Sequence, residues 1–445
     1  MAPFWETISR CWKPLKKKYT RVRREEGSTN NLGREDDELL WFRDIGKHSS
    51  GDYSFAVVQA NPVLEDYSQV DTGPQSTFVG IYDGHGGHEA AAFICNNLLK
   101  NLSRIAIEEG RMSDEVLRNA IAETENGFLR IVEDEFEKTP LIAIKGSCCL
   151  VGLIWKGTLL VANLGDSRAV LGVLNRPNNG ISADQLTSEH NACSPVVREE
   201  LRSRYPGDEK LVVFKNQAWR VKGIIQVTRS IGDAYLKRPE FGLGPEYPRF
   251  HVPEGIDGPV LRSDPNVYTK RLTPEDRFLI MASDGLWEHL TSQRAVEMVH
   301  MNPRPGIARR LVRAALTEAA AKAGMTYDAI KALGSGVRRR FHDDITVVVV
   351  FIDQIQGGGA GGRVVSVKGF SLSDGPSDLN DVFLLAGGDD PAGPSSSSRG
   401  DDAAGPSSSS RGESSESKPL IVDPKSGGDD DDAAARKGKG AAATC

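Results

Sequence analysis

The chain has few cysteines and no long apolar run, and each absence excludes a class of protein. Its 445 residues contain six cysteines and no Cys-x-x-Cys pair, a usage that suits a reducing compartment. No run of about 18 apolar residues occurs, so the sequence predicts no membrane-spanning helix. The first residues, MAPFWETISRCWKPLKKKY, lack the long apolar core of a secretory signal. The net charge of −6 gives no overall signal for nucleic-acid binding.

Composition divides the chain into three parts. Residues 1–46 form an N-terminal extension, whose first 25 residues are basic and aromatic. Residues 47–354 alternate apolar runs with turn signals, as expected for a folded domain. Residues 355–445 are rich in glycine, serine and charge and contain an imperfect repeat. This composition cannot bury a core, so it predicts a disordered tail.

Strand signals dominate the central part of the chain. Apolar, β-branched runs bounded by turn residues predict strands at 53–60, 76–83, 146–155, 158–165, 167–174, 277–284 and 344–352. Helical periodicity appears at 87–106, 113–137, 292–300 and 305–324. Lys156-Gly157 predicts the turn of a hairpin. Because strands do not alternate one for one with helices, packed antiparallel sheets covered by helices fit better than a doubly wound parallel sheet.

Acidic residues recur at the edges of these predicted strands. There are five such acidic corners: Glu65-Asp66, Asp83-Gly84, Asp166, Asp284-Gly285 and Asp343-Asp344. Asp166 is expected in a hairpin turn. Carboxylate and bare carbonyl oxygens are the ligands that hard divalent cations prefer. Clustered carboxylates would repel one another without cations, so the recurrence favours a site for two divalent ions over unrelated solvated turns.

A series of motifs then resembles a known family. The segments are GIYDGHGGHEAA, GSCCLVGLIWKGTLLVANLGDSRAVL, QLTSEHNA, GIIQVTRSIGDAYLK, LIMASDGLWEHL and HDDITVVVV. In this order they resemble the motifs of the type 2C metal-dependent serine/threonine protein phosphatases, and most closely a plant subgroup. The resemblance covers about residues 47–354. It implies an α+β fold in which two packed antiparallel β-sheets are flanked by helices, an α-β-β-α sandwich with a two-metal site between the sheets.

The resemblance also implies which residues hold the metals. Asp83 resembles the ligand that bridges both ions, and the carbonyl of Gly84 resembles a ligand of one of them. Asp284 and Asp343 resemble the other acidic ligands. Alignment of DDITV with the family motif places Asp343, not Asp344, in the ligand position. The expected cofactors are two Mn²⁺ or Mg²⁺ ions, with a weaker third.

Other residues take roles around that pair of ions. Glu65 resembles an outer acid that acts through a metal-bound water, and Asp166 with Glu288 corresponds to the weak third metal site. The implied reaction is hydrolysis of phosphoserine or phosphothreonine in proteins by a water that two metals activate. His85 is expected to be the general acid that protonates the leaving group. Many members carry an arginine that grips the phosphate where this chain has Asn61.

Two other functional classes are left open. A catalytically weak scaffold would bind phosphoproteins without hydrolysing them, although the intact acids argue against it. A nucleic-acid binder would need a broad basic face, whereas this chain is acidic overall. We therefore expect phosphoprotein substrates, a regulatory protein as a further partner, no nucleic acid, and a monomer.

The basic extension has three competing interpretations. Residues 1–25 carry eight Lys and Arg residues interleaved with aromatic residues, a pattern that can lie on an anionic membrane surface. The segment KPLKKKYTRVRR also fits a nuclear-import signal, and a solvated tail is the third interpretation. Ala2 replaces the glycine that myristoylation needs. The expected location is intracellular, with plasma-membrane periphery, cytoplasm and nucleus left open.

Overall fold

The computed structural model describes residues 39–73, 75–175 and 180–353, together with the backbone of a short strand at 365–368. The basic extension up to residue 38 and nearly all of the predicted tail therefore lie outside the described residues. Among the described helices, none combines the length and apolar composition that a membrane crossing requires.

Strands make up most of the described domain. In chain order they are β1 (Leu40–His48), β2 (Gly51–Val58), β3 (Asp66–Gly73), β4 (Ser76–His85), β5 (Gly146–Ser147), β6 (Cys149–Trp155), β7 (Thr158–Leu164), β8 (Arg168–Asn175), β9 (Gly180–Gln185), β10 (Val212–Lys215), β11 (Ala218–Val221), β12 (Ile231–Gly232), β13 (Asn266–Arg271), β14 (Asp276–Ala282), β15 (Ile345–Phe351) and β16 (Val365–Lys368).

The helices of the described residues are fewer and lie between groups of strands. They are α1 (Glu89–Glu108), α2 (Asp114–Glu135), α3 (Pro195–Arg204), α4 (Asp284–Trp287), α5 (Ser292–Met301), α6 (Ile307–Lys322) and α7 (Tyr327–Lys331). Ser113 caps α2, because its side chain accepts a hydrogen bond from the Val116 N–H at 3.3 Å. His88 is the N-cap residue of α1.

Two antiparallel sheets organise the domain. The first has the strand order β1-β2-β15-β14-β8-β9. The second runs β13-β7-β6-β4, and β4 pairs in turn with β3. The short strands β5 and β12 extend the second sheet where β4 ends, since Gly84 and His85 pair with β5. The end of β4 is thus held from both sides.

Alternation along the strands builds the layers. In β15, Val348 and Val350 pack in the cluster between the two sheets, whereas Val347 and Val349 pack against the helices of the first sheet. In β4, Val79 belongs to the same inter-sheet cluster. The helices α1 and α2 pack on the outer face of the second sheet, and α5 and α6 pack on that of the first. The architecture is α-β-β-α, and the predicted fold class is confirmed.

The structure confirms the predicted hairpin turn, interrupts one of the predicted strands and shortens another. Lys156 and Gly157 both have positive φ, at 49° and 75°, and they join β6 to β7 in the predicted antiparallel hairpin. The predicted strand at 146–155 is interrupted at Cys148, which separates β5 from β6. The predicted strand at 277–284 ends at Ala282, because Asp284 already begins α4.

Two predictions about the chain path need correction. Asp166 does not lie in a hairpin turn, because β7 belongs to the second sheet and β8 to the first. The segment that carries Asp166 instead crosses from one sheet to the other. In addition, β1 begins at Leu40 and pairs with β2, so the first sheet includes residues ahead of the predicted domain start at 47.

Candidate metal centre

The end of β4 brings the first acidic pair together. Asp66 and Asp83 are direct partners in the antiparallel register of β3 and β4. The next residue, Gly84, donates its N–H to the Glu65 carbonyl at 3.2 Å. A Cβ at Gly84 would lie 2.6 Å from that same carbonyl oxygen, so this approach requires glycine. The sequence Asp-Gly therefore places a carboxylate at a strand end where the backbone can come close.

The first sheet supplies the other acids. Strand β14 runs into Asp284, and Asp343 precedes the neighbouring antiparallel strand β15. The Ser283 N–H donates to the Thr346 carbonyl at 3.1 Å, which holds these two strand ends at one edge. Antiparallel pairing thus converts two distant acidic motifs into neighbours.

The electrostatics of Asp83 show that the two sheets bring their acids to one place. Burial raises the pKa of Asp83 well above its ordinary value, and the nearby carboxylates of Asp284 and Asp66 raise it further. Burial likewise raises the pKa of Asp284, with Asp166 and Asp343 as the next contributors. Carboxylates this close and this buried are destabilising unless a cation neutralises them.

Unpartnered oxygens in the cluster fit a divalent cation. Oδ1 of Asp284 is buried and has no hydrogen-bond partner among the described residues, and Oδ1 of Asp66 is in the same state. The other oxygen of Asp66 accepts hydrogen bonds from Ser283 Oγ at 2.8 Å and Thr346 Oγ1 at 2.7 Å. Buried carboxylate oxygens left in this way match the ligand chemistry of Mg²⁺ or Mn²⁺.

The adjacent acids Asp343 and Asp344 have different surroundings. Asp344 accepts hydrogen bonds from three backbone N–H groups, those of Ala60 at 2.6 Å, Asn61 at 3.0 Å and Glu65 at 2.8 Å. Its carboxylate therefore fixes the loop between β2 and β3. This arrangement supports the assignment of Asp343, and not Asp344, to the metal cluster.

Asp343 itself contacts two side chains. Its Oδ1 accepts from Asn61 Nδ2 at 3.2 Å, and its Oδ2 lies 2.7 Å from Arg339 Nη2. Burial raises the pKa of Asp343, and the positive charge of Arg339 acts in the opposite direction. Arg339 was not foreseen from the sequence. Its signal was the run Arg338–Arg340 shortly before HDDITV.

Glu65 lies at the wall of a cavity beside the cluster. Burial, followed by the carboxylates of Asp344 and Asp343, raises the pKa of Glu65 to about 7. The cavity has a volume of about 330 Å³ and is lined by Asn61, Pro62, Val63, Glu65, Gly87, His88, Glu89 and Lys145. A carboxyl group at such a wall can accept or release a proton near neutral pH.

Asp166 forms a second group with Asp83 and a thiol. Ligand atoms of Asp83, Cys148 and Asp166 all lie within 4.8 Å of one another. The Cys148 thiol donates to Asp166 Oδ1 at 3.2 Å, and Asn191 Nδ2 donates to Asp166 Oδ2 at 2.7 Å. Burial raises the pKa of Cys148 well above its ordinary value, so its sulfur stays a neutral thiol.

Glu288 lies near the same group. Burial raises its pKa, and the carboxylates of Asp343 and Asp166 raise it further. Asp166 and Glu288, which the sequence pairs as a third site, therefore come close in space. Cys148 and Asn191 were missed, since neither stands at a predicted strand edge among the acidic corners.

His85 is held by an acid from a distant part of the chain. Its Nε2 lies 2.7 Å from Oδ2 of Asp233, and that oxygen also accepts from Ser230 Oγ at 2.6 Å. A Cβ on Gly146 would overlap both the imidazole and the carboxylate, so the contact depends on that glycine. Burial alone would lower the pKa of His85, but the charge and hydrogen bond of Asp233, together with the carboxylates of Asp166 and Glu65, raise it above its ordinary value.

A buried ion pair fixes the loop that carries Asp233. Lys237 Nζ lies 2.6 Å from Glu125 Oε1 of α2 and donates to the Ser230 carbonyl at 2.8 Å. The other Glu125 oxygen accepts from the Gly232 N–H at 2.8 Å. Asp233 itself adopts a left-handed conformation, with φ 50°. Loop and helix thus set the position of the acid that orients His85.

Comparison with known proteins identifies the family that this chain resembles. The family model described as Protein phosphatase 2C matches residues 63–324, which is more than half of the chain. "Probable protein phosphatase 2C 43" of Oryza sativa subsp. japonica is 56% identical over 383 residues, covering 85% of this chain and 98% of the relative. "Probable protein phosphatase 2C 68" of Arabidopsis thaliana is 54% identical over 383 residues, covering 84% and 97%.

A solved structure matches at the level of the fold. The serine-threonine phosphatase 2C of Toxoplasma gondii superposes with a TM-score of 0.51 at 18% identity, covering 70% of this chain and 98% of the other. The chain belongs to the protein phosphatase 2C family, and the two relatives named above are plant members. Its class of activity is that of a metal-dependent protein phosphatase.

Proposed function

We propose that this chain hydrolyses phosphoserine and phosphothreonine in proteins with two divalent ions, Mn²⁺ or Mg²⁺. The observation that carries the proposal is the convergence of Asp83 from one sheet with Asp284 and Asp343 from the other. The relatives named as probable protein phosphatases support phosphoproteins as the substrate class.

The residues that would hold the metals are acids that converge from the two sheets. Asp83 lies between the acids of both sheets and would hold the ions together with the carbonyl of Gly84 beside it. Asp284 and Asp343 complete the set, and Asp166 with Glu288 is assigned to a weaker third site. When bound, divalent ions lower the pKa of water towards neutrality and balance charge on the phosphoryl oxygens.

His85 is assigned to the leaving group. Serine and threonine alkoxides are poor leaving groups, so a protonated imidazole beside the ester oxygen accelerates the cleavage. Since Nε2 is bonded to Asp233, Nδ1 is the atom left to donate the proton. Asp233 favours the charged imidazolium and fixes the orientation of the ring.

Glu65 is assigned the role of orienting water, and of accepting a proton from it, at the wall of the cavity. A carboxyl group with a pKa of about 7 can accept a proton from a water molecule on the substrate side and return it to solvent. Its backbone is fixed from both directions, since its N–H donates to Asp344 and its carbonyl accepts from Gly84. Glu65 therefore has a defined position from which to orient water.

The test is hydrolysis of phosphoserine and phosphothreonine peptides by the full chain. We expect release of phosphate with added Mn²⁺ or Mg²⁺, no release with a chelator, and recovery when metal is returned. The alternative is a catalytically weak scaffold that binds phosphoproteins. Binding of a phosphopeptide without any release of phosphate at saturating Mn²⁺ would favour that scaffold over the enzyme.

A further inference from the structure

A phosphate monoester must approach a strongly acidic place in this molecule. Asp83, Asp284 and Asp343 lie together, with Glu65 at the cavity wall. A phosphoserine group also carries close to two negative charges at pH 7. Metals neutralise part of this charge, but a positively charged side chain facing the cluster would attract the substrate and orient its oxygens.

Arg339 is such a side chain. Its Nη2 lies 2.7 Å from Asp343 Oδ2, and its side chain is 51% exposed. Burial tends to lower its pKa, but Asp343, followed by Asp284 and Glu288, raises it above its ordinary value. The guanidinium therefore lies in the field of the whole cluster while part of it still reaches solvent. A guanidinium has five N–H donors, so one contact with Asp343 leaves donors for a ligand.

Asn61 and Arg339 converge on the same carboxylate. Asn61 Nδ2 donates to Oδ1 of Asp343 at 3.2 Å, while Arg339 binds Oδ2. Asn61 also lines the cavity beside the cluster. An amide supplies no charge, whereas Arg339, from a different segment of the chain, brings a positive charge to the same carboxylate.

The backbone under Arg339 is anchored to the cavity loop. The neighbouring Arg338 is buried, and its Nε and Nη2 donate to the Gln59 carbonyl at 3.1 and 2.7 Å. The Gly336 N–H donates to the Ala60 carbonyl at 2.6 Å. The short 3-10 helix Arg338–Arg340 is therefore fixed at its base, which limits the entropy that Arg339 would lose on binding a ligand.

We propose that Arg339 binds the phosphoryl oxygens of the phosphoserine or phosphothreonine substrate. This role rests on the proposed phosphatase function and adds a phosphate-binding residue to it. The guanidinium presents paired N–H donors to phosphate in a planar, two-pronged geometry that an ammonium group cannot reproduce. The ion pair with Asp343 holds the guanidinium group beside the acidic cluster.

The experiment compares Arg339→Ala, Arg339→Lys and the matched control Arg340→Ala in the full chain. Arg340 is the exposed neighbour in the same 3-10 helix. At saturating Mn²⁺ we expect Arg339→Ala to lower kcat/KM on a phosphoserine peptide about 10- to 100-fold. The inhibition constant of inorganic phosphate should rise by a similar factor. Arg339→Lys should recover part of the loss, and Arg340→Ala should behave as wild type.

A second readout separates phosphate binding from positioning of Asp343. Calorimetric titration with Mn²⁺ alone, in the absence of substrate, should give the same metal affinity for wild type and Arg339→Ala. If Arg339→Ala weakens Mn²⁺ binding but leaves the phosphate inhibition constant unchanged, Arg339 only positions a metal ligand and the inference is wrong. It is also wrong if the Arg339 and Arg340 variants match in every readout.

Failure of the proposed function would look different. In that case wild type itself would release no phosphate from the peptide at saturating Mn²⁺. Calorimetric titration of the Mn²⁺-loaded protein with inorganic phosphate would still test Arg339. Weaker phosphate binding by Arg339→Ala than by Arg340→Ala would support the binding role, and equal binding by both variants would overturn it.

Discussion

His85 and Asp233 are 148 positions apart in the sequence, yet Nε2 of the first lies 2.7 Å from Oδ2 of the second. The histidine side chain is 26% exposed, whereas the aspartate side chain is 1% exposed. One partner can therefore meet a substrate while the other is fixed in the interior. This arrangement is typical of an imidazole that must hold a proton in one orientation.

The first prediction concerns the leaving group. His85→Gln should lower kcat on a phosphoserine peptide by roughly 10²–10⁴ because no group then protonates the departing alkoxide. The loss should be much smaller on an aryl phosphate, whose leaving group needs no proton. Steady-state kinetics on both substrates check this prediction. Equal losses on the two substrates would assign His85 a structural role.

The second prediction concerns the metals. Asp83→Asn or Asp284→Asn should abolish phosphate release, because an amide removes the negative charge that holds a divalent ion. Calorimetric titration should show that Mn²⁺ binding is lost as well. Asp328→Asn, which changes an exposed acid of α7, is the control and should keep both. Wild-type activity in either active-site variant at saturating metal would contradict the assignment.

The third prediction concerns pH and stability at His190. Burial, and then the charge of Arg229, lowers the pKa of His190 to about 3. The folded state keeps His190 neutral, whereas the unfolded chain protonates it below its ordinary pKa of roughly 6.5. Stability from this residue is therefore present above that pH and is lost as the pH falls towards 3. The slope is about 1.4 kcal/mol per pH unit.

Denaturant unfolding at pH 6.5 and at pH 4.5 measures this contribution of His190 to the free energy of unfolding. His190→Asn keeps an acceptor for the Gly165 N–H, which His190 Nδ1 accepts at 3.2 Å. This variant should lose less stability than wild type over the interval, by about 2 kcal/mol. His300→Asn, at an exposed position of α5, should show the wild-type pH slope. The same slope in His190→Asn would rule out the buried neutral histidine as the cause.

The fourth prediction concerns the extension ahead of the described residues. If residues 1–25 lie on an anionic membrane, wild type should bind vesicles containing phosphatidylserine and dissociate as salt increases. Each cation near the surface contributes about 1 kcal/mol. A chain beginning at Asn31 should not bind, and neutral vesicles should bind neither protein. Equal sedimentation of the two chains would leave a nuclear-import signal or a solvated tail as the explanation.

The sequence predicts features that depend on local periodicity or on strand ends. The uninterrupted β-branched run of β15 predicts a strand, and Asp83, Asp284 and Asp343 are recognisable because each adjoins a predicted strand. The Lys156-Gly157 turn is predicted because Gly157 can adopt positive φ, here 75°, without the steric cost that a side chain brings.

Features that depend on long-range pairing are not predictable in this way. The partner of His85 is Asp233, which comes from a loop whose position is set by the Glu125–Lys237 ion pair. From the sequence, the segment at Asp166 is predicted to be a hairpin turn, because two strands with a short connection usually pair with each other. Here β7 and β8 belong to different sheets, and no local sequence signal indicates this. Arg339 is found only when the 3-10 helix is placed beside the cavity loop.

The distribution of the acids between the sheets has a mechanical consequence. Asp83 projects from the second sheet, whereas Asp284 and Asp343 belong to the first. Ions shared by these residues would cross-link the two halves of the sandwich at the edge where the apolar layer between them ends. Ligand binding that favours the folded state raises its stability in proportion to the logarithm of the ligand concentration. Loss of divalent ions would then remove this cross-link between the two sheets and lower the stability of the folded domain.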